Sequence, residues 1–155
     1  MQIKLLLLDV DGVLTDGGMY YTESGDEFKR FNTKDGLAIQ RLIAKYNIEV
    51  GIISSGHNIN LIQRRANLLG ISRVYVGKKN KITVLKQWSK ELNIKLIDIA
   101  YIGDDLNDLK CMEQVGIAAC PADAVDKIKK ISHIVLNRNG GDACVREFID
   151  MHWDI

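Results

Sequence analysis

Apolar and polar positions alternate along the chain in blocks that predict strands and helices in turn. The first block, Leu5–Leu8, is an unbroken apolar run, which is typical of a central parallel strand covered on both faces. The same reasoning predicts further strands at 48–53, 74–76, 97–102, 117–119 and 133–136. Apolar residues at helical spacing predict helices at 35–45, 58–69, 80–92, 106–115, 124–131 and from 141 onward. We therefore expect an α/β fold: a doubly wound, mostly parallel sheet of five or six strands, within a single domain over residues 1–155.

One segment interrupts this alternation between the first strand and the first helix. Residues Gly18–Phe31 contain two short stretches around a turn at Ser24-Gly25, which favours a β-hairpin insert. The helix that follows is expected to begin with Thr33 or Asp35 as its N-cap.

Composition and charge exclude several classes of function. Lys and Arg number 21 against 20 for Asp and Glu, so no basic or acidic surplus predicts binding to nucleic acid or a membrane surface. No apolar run approaches the roughly 20 residues of a membrane span. The three cysteines lack CxxC spacing, which favours reduced thiols in a cytoplasmic protein over a disulfide framework or a zinc site. A charged turn within nine residues of the start argues against a cleaved signal peptide.

Two of the predicted strands end in acidic clusters. Asp9 and Asp11 follow the first strand, and the sequence GDDLND at Gly103–Asp108 follows a later one. Ligands collect at the carboxyl ends of parallel strands, and neighbouring carboxylates repel unless a cation or a proton lies between them. We expect Asp9 and Asp104 to share one Mg²⁺, a hard ion that prefers oxygen ligands.

This arrangement suits phosphoryl transfer. An ionised Asp9 could attack phosphorus to give an aspartyl-phosphate, and Asp11 could serve as general acid and then as general base. Ser54 or Ser55 offers a hydroxyl and Lys81 offers an ammonium to balance the phosphoryl charge.

Each of these residues also has a simpler interpretation. A serine at a strand end is a common turn residue, and Lys81 belongs to the charged run Lys78–Lys81. Asp105 and Asp108 could be acids at a helix N-terminus. Their joint occurrence in this chain order favours the catalytic interpretation.

The motifs DVDGVLTDG, a strand-end serine, Lys81 and GDDLND resemble the four sequence motifs of the haloacid dehalogenase superfamily of phosphotransferases. FNTKDG at 31–36, AYIGDDLND at 100–108 and RNGGDACVRE at 138–147 are similar to its small sugar-phosphate phosphatases without a cap domain. Those enzymes act on 3-deoxy-D-manno-octulosonate 8-phosphate or on nonulosonate (sialic-acid-type) 9-phosphates, in lipopolysaccharide or sialic-acid biosynthesis. The resemblance implies a phosphatase with no cap domain.

The resemblance also implies a role for each motif residue. Asp9 is the nucleophile and Asp11 the general acid/base, and Mg²⁺ is held by Asp9, Asp104 and the backbone carbonyl of Asp11. Ser54 and Lys81 bind the transferring phosphoryl group, with Ser55 as the rival of Ser54. Asp105 and Asp108 orient Lys81 and the waters on the metal.

Specificity and assembly are expected to depend on other residues. His57 falls where relatives contact the sugar. Arg64 is the candidate for the sugar carboxylate, because a planar guanidinium pairs well with it, whereas Arg65 is expected to face solvent. Arg138 and Arg146 are further candidates. The resemblance implies a 2-keto-3-deoxy sugar acid phosphate as substrate and a homotetramer in which the hairpin packs between protomers and a neighbouring subunit closes each site.

Two other classes of protein share some of these features. A response-regulator receiver domain also has an acidic pocket, a hydroxyl and a lysine, but its phosphoacceptor ends a middle strand, which here ends in serine. The alternative function is a non-catalytic tetramerisation module associated with a sialic-acid cytidylyltransferase. The presence of Asp9, Asp11, Lys81 and Asp104 favours an active enzyme instead.

Overall fold

The computed structural model describes residues 2–155. Its strands are β1 (Leu5–Leu8), β2 (Tyr20–Tyr21), β3 (Glu27–Phe28), β4 (Glu49–Ser54), β5 (Arg73–Val76), β6 (Ile99–Ile102), β7 (Ile117–Cys120) and β8 (Ile134–Val135). Its helices are α1 (Thr33–Tyr46), α2 (Ile59–Leu69), α3 (Lys81–Glu91), α4 (Leu109–Met112), α5 (Asp126–Ile131) and α6 (Cys144–His152).

Six strands form one parallel sheet in the order β5-β4-β1-β6-β7-β8. Strand β1 is central: Leu8 lies opposite Ile52 of β4 and Ile102 of β6. The predicted doubly wound sheet is therefore confirmed. Because all four leucines of β1 are fully buried, the chain emerges from the middle of the sheet at Asp9.

Apolar residues cover both faces of the sheet, as the unbroken leucine run predicts. Leu6 and Leu8 belong to a core that includes residues of α1, α2 and α6. Leu5 and Leu7 belong to a second core with residues of α3, α4 and α5. Burial of each leucine contributes about 1.5–3 kcal/mol to the stability of the fold. Strand β1, which leads to Asp9, is therefore firmly held.

The insert after β1 is a small antiparallel hairpin, in which Tyr20 of β2 lies opposite Phe28 of β3. Strand β4 leads to α2 through the short loop 55–58. Within residues 2–155 neither position therefore carries a cap domain. No helix in the same range is long and apolar enough to cross a membrane.

Several element boundaries differ from the prediction for local reasons. Helix α1 is capped by Asn32, whose side chain accepts a hydrogen bond from Lys34 N, so the prediction of Thr33 or Asp35 as N-cap was wrong. Helix α4 is one turn long instead of spanning 106–115. Strand β6 begins at Ile99 because Leu96–Asp98 form a short 3₁₀ turn.

Candidate active site

The carboxyl ends of β1, β4 and β6 surround an open cavity of about 530 Å³. Two of the acidic positions singled out in the sequence, Asp9 and Asp104, follow the ends of neighbouring strands, because β1 pairs with β6. The cavity is lined by Asp9, Asp11, Gly17, Met19, Ser55, Gly56, His57, Asp104, Asp105 and Asn107.

Asp9 is buried and held through one oxygen. Its Oδ1 accepts a hydrogen bond from Val10 N at 2.7 Å and lies 2.7 Å from the ammonium of Lys81. Burial and the nearby Asp108 carboxylate raise the pKa of Asp9, and Lys81 opposes this effect. Within residues 2–155 both polar contacts use Oδ1, which leaves Oδ2 without a hydrogen-bond partner.

Lys81 and Asp108 form a buried ion pair beneath the cavity. The Lys81 ammonium is 2.7 Å from Asp108 Oδ1, which also accepts a hydrogen bond from the Tyr101 hydroxyl at 2.7 Å. Burial by itself would lower the pKa of Lys81, but the carboxylates of Asp9 and Asp108 raise it. The lysine therefore stays charged beside Asp9.

The second oxygen of Asp108 holds the acidic loop. Asp108 Oδ2 accepts hydrogen bonds from Asp104 N at 3.0 Å and Asp105 N at 3.4 Å. The carboxylate of Asp105 instead accepts from Leu106 N, and it makes no contact with Lys81 in residues 2–155. Of the two residues expected to orient Lys81, the structure therefore places only Asp108 against it.

Asp104 lies against the turn that follows β1. Gly12 has φ +89°, and a Cβ on Gly12 would be only 2.0 Å from Asp104 Oδ2. Burial and Asp108 raise the pKa of Asp104 to about 7. Its Oδ1 is buried and has no hydrogen-bond partner among residues 2–155. The close packing of this carboxylate thus depends on glycine at position 12.

These acids fit a divalent cation. One oxygen each from Asp9, Asp104 and Asp108 lies within 4.8 Å of the others. Carboxylate oxygens are the ligands that Mg²⁺ prefers, and a bound cation would satisfy the buried Asp104 Oδ1, which has no hydrogen-bond partner among residues 2–155. Both Asp108 oxygens already accept hydrogen bonds, so Asp9 and Asp104 are the better ligands of the three.

Asp11 is paired with a residue that the sequence analysis overlooked. Asp11 Oδ1 is 2.7 Å from the ammonium of Lys29, which also lies 2.9 Å from Glu27 Oε1. The Lys29 side chain is only 5% exposed. Burial by itself would lower the pKa of Lys29, but hydrogen bonds to the two carboxylates raise it. The alternation Glu27-Phe28-Lys29 puts Glu27 and Lys29 on one side of an extended segment, but it does not show that this side turns toward Asp11.

The two serines at the end of β4 have different surroundings. Ser54 is fully buried, and its Oγ accepts a hydrogen bond from Gly56 N at 3.1 Å. A Cβ on Gly56 would lie 3.2 Å from Ser54 Oγ and 3.6 Å from Asp11 Oδ2, so both groups border Gly56. Ser55 lines the cavity and accepts a hydrogen bond from Asn107.

Of the residues expected to contact the sugar, only one lies at this cavity. His57 lines the cavity, whereas Arg64 is exposed on α2 and does not. Arg138 and Arg146 lie at a separate cavity of about 300 Å³, where Arg146 pairs with Asp150 at 2.7 Å. Within one chain, none of these three arginines faces the acidic cluster.

Arg65 does not face solvent freely, so that expectation was wrong. Its guanidinium donates to the Asn32 carbonyl at 3.3 Å, and its central carbon lies 5.2 Å from the centre of the Phe31 ring. This packing fastens the base of the hairpin to α2.

Comparison with known proteins agrees with this geometry. The family model of haloacid dehalogenase-like hydrolases matches residues 55–149, so the chain belongs to that family. The 3-deoxy-D-manno-octulosonate 8-phosphate phosphatase of Yersinia pestis is 40% identical over 149 residues, which cover 96% of this chain and 79% of that protein. The chain is therefore an enzyme, a phosphatase of this family.

Solved structures of similar proteins extend the comparison. The Yersinia pestis enzyme superposes with a TM-score of 0.92, covering 96% of this chain and 80% of that one at 40% identity. The corresponding phosphatase of Moraxella catarrhalis, in complex with a magnesium ion, a phosphate ion and a KDO molecule, gives a TM-score of 0.92 at 37% identity. It aligns with 96% of this chain and 84% of its own.

Proposed function

We propose that the chain hydrolyses 3-deoxy-D-manno-octulosonate 8-phosphate, with a nonulosonate 9-phosphate as the alternative substrate, through an aspartyl-phosphate on Asp9. The observation that carries the proposal is the buried Asp9, fixed through Oδ1 by Lys81, beside the unpartnered oxygen of Asp104. The similarity to 3-deoxy-D-manno-octulosonate 8-phosphate phosphatases over 96% of the chain supports the choice of substrate.

Mg²⁺ is the proposed cofactor, held by Asp9, Asp104 and, by analogy with the family, the backbone carbonyl of Asp11. When bound, it shields the negative charge of the phosphoryl group and of the two carboxylates. The remaining chemistry belongs to side chains of the protein.

In the first step, a carboxylate oxygen of Asp9 attacks phosphorus and forms a new O–P bond while the bond from phosphorus to the sugar oxygen breaks. The electron pair of the broken bond stays on the sugar oxygen, and Asp11 donates a proton to it. The products of this step are the free sugar and the phosphorylated Asp9.

In the second step, Asp11 accepts a proton from a water molecule whose oxygen attacks phosphorus. The bond between phosphorus and Asp9 breaks, inorganic phosphate leaves, and both aspartates return to their starting state. Asp11 lies two residues after Asp9 on the same turn. From this position it can donate a proton in the first step and accept one in the second.

Lys81 and Ser54 are proposed to hold the transferring group. Lys81 lies against Asp9 and supplies a positive charge at the site of attack. Ser54 Oγ accepts its hydrogen bond from Gly56 N, so the hydroxyl proton remains free for a phosphoryl oxygen. Ser55, which lines the cavity, is the second candidate for this role.

His57 and Asn107, both on the cavity wall, are proposed contacts of the sugar. The open cavity and the exposed side chains Met19, Tyr21 and Phe28 on the hairpin also support the proposed homotetramer, in which a neighbouring subunit closes the site. In that assembly an arginine such as Arg64 or Arg138 would have to act between subunits.

The test is a phosphate-release screen with Mg²⁺ present, using 3-deoxy-D-manno-octulosonate 8-phosphate, a nonulosonate 9-phosphate and neutral sugar phosphates as substrates. The proposal predicts the highest kcat/KM for the octulosonate. A clear preference for the nonulosonate would change the substrate but keep the mechanism. Preference for a neutral sugar phosphate would contradict the keto-acid assignment.

A further inference from the structure

Lys29 lies at the base of the hairpin, yet its ammonium reaches the active site. It bridges Asp11 Oδ1 at 2.7 Å and Glu27 Oε1 at 2.9 Å, and 95% of its side chain is withdrawn from solvent. Burying the lysine between two carboxylates costs free energy, because the three charged groups lose part of their hydration. An exposed ion pair could hold the hairpin in place without this cost. The contact of Lys29 with Asp11 therefore suggests a further role.

We propose that Lys29 is a positioning residue that holds Asp11 Oδ1 and so presents Asp11 Oδ2 to the leaving oxygen of the substrate. The other side of the carboxylate supports this assignment: Oδ2 lies toward Gly56, which lines the cavity, and would be 3.6 Å from a Cβ on that residue. With Oδ1 held by an ammonium, Oδ2 is the oxygen left to face the substrate. The contact with Lys29 thereby fixes both the position of the Asp11 carboxylate and its rotation about the side-chain bond.

The hairpin holds Lys29 in this position through contacts within the same chain. Glu27 of β3, two residues before Lys29, holds the same ammonium through its Oε1 at 2.9 Å. The base of the hairpin is fixed by Arg65, which packs on Phe31 and bonds the Asn32 carbonyl. The insert therefore completes the active site of its own protomer, whether or not it also contacts a neighbour.

The proposal rests on the role of Asp11 as general acid in the proposed function, and it makes a prediction about leaving groups. A nitrophenolate leaves readily without a proton, whereas a phenolate or an alkoxide needs one. Misplacing the acid should therefore slow the hydrolysis of phenyl phosphate and 2-glycerophosphate and leave 4-nitrophenyl phosphate much less affected. None of these substrates has a carboxylate, so loss of a contact with a sugar acid cannot imitate the effect.

The experiment compares kcat/KM on the three substrates for wild type, Lys29→Met, Lys29→Arg and Asp11→Asn, because kcat/KM reports the first phosphoryl transfer. We expect Lys29→Met to lose about 10²-fold on 2-glycerophosphate and less than about 5-fold on 4-nitrophenyl phosphate, as expected for a misplaced acid. Lys29→Arg keeps a donor for Oδ1 and should restore part of the loss on 2-glycerophosphate.

Arg30→Met is the matched control, because it removes a positive charge from the adjacent, exposed residue and leaves Asp11 untouched. It should keep the wild-type dependence on the leaving group. Equal losses on all three substrates in Lys29→Met, or no loss, would overturn the proposal. Should Lys29→Met fail to fold, Glu27→Gln gives a smaller selective loss if the proposal is right and a uniform loss or none if it is wrong.

Asp11→Asn separates failure of this proposal from failure of the proposed function. A selective loss in Asp11→Asn with a uniform loss in Lys29→Met would refute only the positioning role of Lys29. A uniform loss in Asp11→Asn would instead remove the general-acid role from Asp11, and the proposal for Lys29 would fall with it.

Discussion

Gly140 lies directly against Gly12: a Cβ on Gly140 would be 1.9 Å from the Gly12 carbonyl oxygen. The C-terminal segment thus packs against the backbone of the turn that carries Asp11. Gly140 N donates to Asp123 at 2.9 Å, and Gly141 N donates to the Val13 carbonyl at 3.0 Å. Gly140 and Gly141 of the RNGG sequence therefore pack against the turn that carries Asp11, and a side chain at position 140 would collide with that turn.

We predict that Gly140→Ala lowers kcat/KM by about 10²-fold, since a shift of about 1 Å in a catalytic group has that effect. Overpacking should also lower the free energy of unfolding by about 1–3 kcal/mol. Steady-state kinetics and chemical denaturation measure the two effects. Asn139→Ala, at the exposed neighbouring position, is the control and should change neither. Full activity in Gly140→Ala would show that the turn does not depend on this packing.

Asp9→Asn should abolish turnover, because the amide keeps the volume of the side chain but cannot attack phosphorus. Asp11→Asn should lower kcat by about 10²–10⁴-fold, the usual contribution of general acid–base catalysis. Asp126→Asn, which changes an exposed carboxylate on α5, serves as control. Circular dichroism should show the same fold for all three. Ready turnover by purified Asp9→Asn would rule out the covalent mechanism.

Removal of divalent metal should abolish activity, and Mg²⁺ should restore it. Asp104→Asn should raise the Mg²⁺ concentration for half-maximal activity, because it removes the carboxylate whose Oδ1 has no other partner in residues 2–155. Ca²⁺ should inhibit, since its looser coordination suits the site poorly. Activity that persists in excess chelator would contradict the assignment.

The sequence predicted those parts of the site that follow directly from strand ends. Asp9 and Asp104 could be placed together because unbroken apolar runs identify buried parallel strands, and such strands end at a common edge. Lys29 and Arg65 could not be placed, because their positions depend on how the hairpin folds back over the sheet. Strand ends can be predicted because they follow from a local periodic pattern. Contacts between distant segments, such as the hairpin and the sheet, leave no such pattern in the sequence.

Helix α4 shows the same limit within a single loop. Apolar spacing predicted a helix over 106–115, but the backbone from Asp104 to Asp105 turns around the Asp108 carboxylate, and only Leu109–Met112 are helical. A side-chain hydrogen bond to the backbone overrides the periodic pattern here. The shortened helix is a consequence of the same carboxylate that holds Lys81.

The exposed hairpin side chains predict an oligomer. Tyr20 stacks on Phe28 with 5.2 Å between the ring centres, and Tyr21 is 56% exposed beside them. Tyr21→Asp should therefore reduce the mass measured by light scattering at micromolar concentration from a tetramer to a smaller species. Leu68→Asp, at a 70% exposed position on α2, is the control for added charge. A wild-type chain that is monomeric and fully active would refute the proposed assembly.

Asp35, at the start of α1, is 1% exposed and predicts a dependence of stability on pH. Its Oδ1 accepts a hydrogen bond from Arg146 N at 2.7 Å, and its Oδ2 has no partner in residues 2–155. Burial raises its pKa from 3.8 to about 6, against the opposing effect of the backbone hydrogen bonds. The folded state thus binds this proton more tightly than the unfolded state does.

The sign of the effect follows from that difference. The contribution of protonated Asp35 to stability is fully present below pH 3.8 and is lost as the pH rises through about 6. Asp35→Asn keeps an acceptor for Arg146 N but carries no charge, so its free energy of unfolding should exceed that of wild type by up to about 3 kcal/mol at pH 7 and by little at pH 4. Urea denaturation of both proteins between pH 4 and pH 7.5 measures this difference, with Asp126→Asn as the control for the loss of one negative charge. A difference that stays constant across this range would show that Asp35 does not titrate on unfolding.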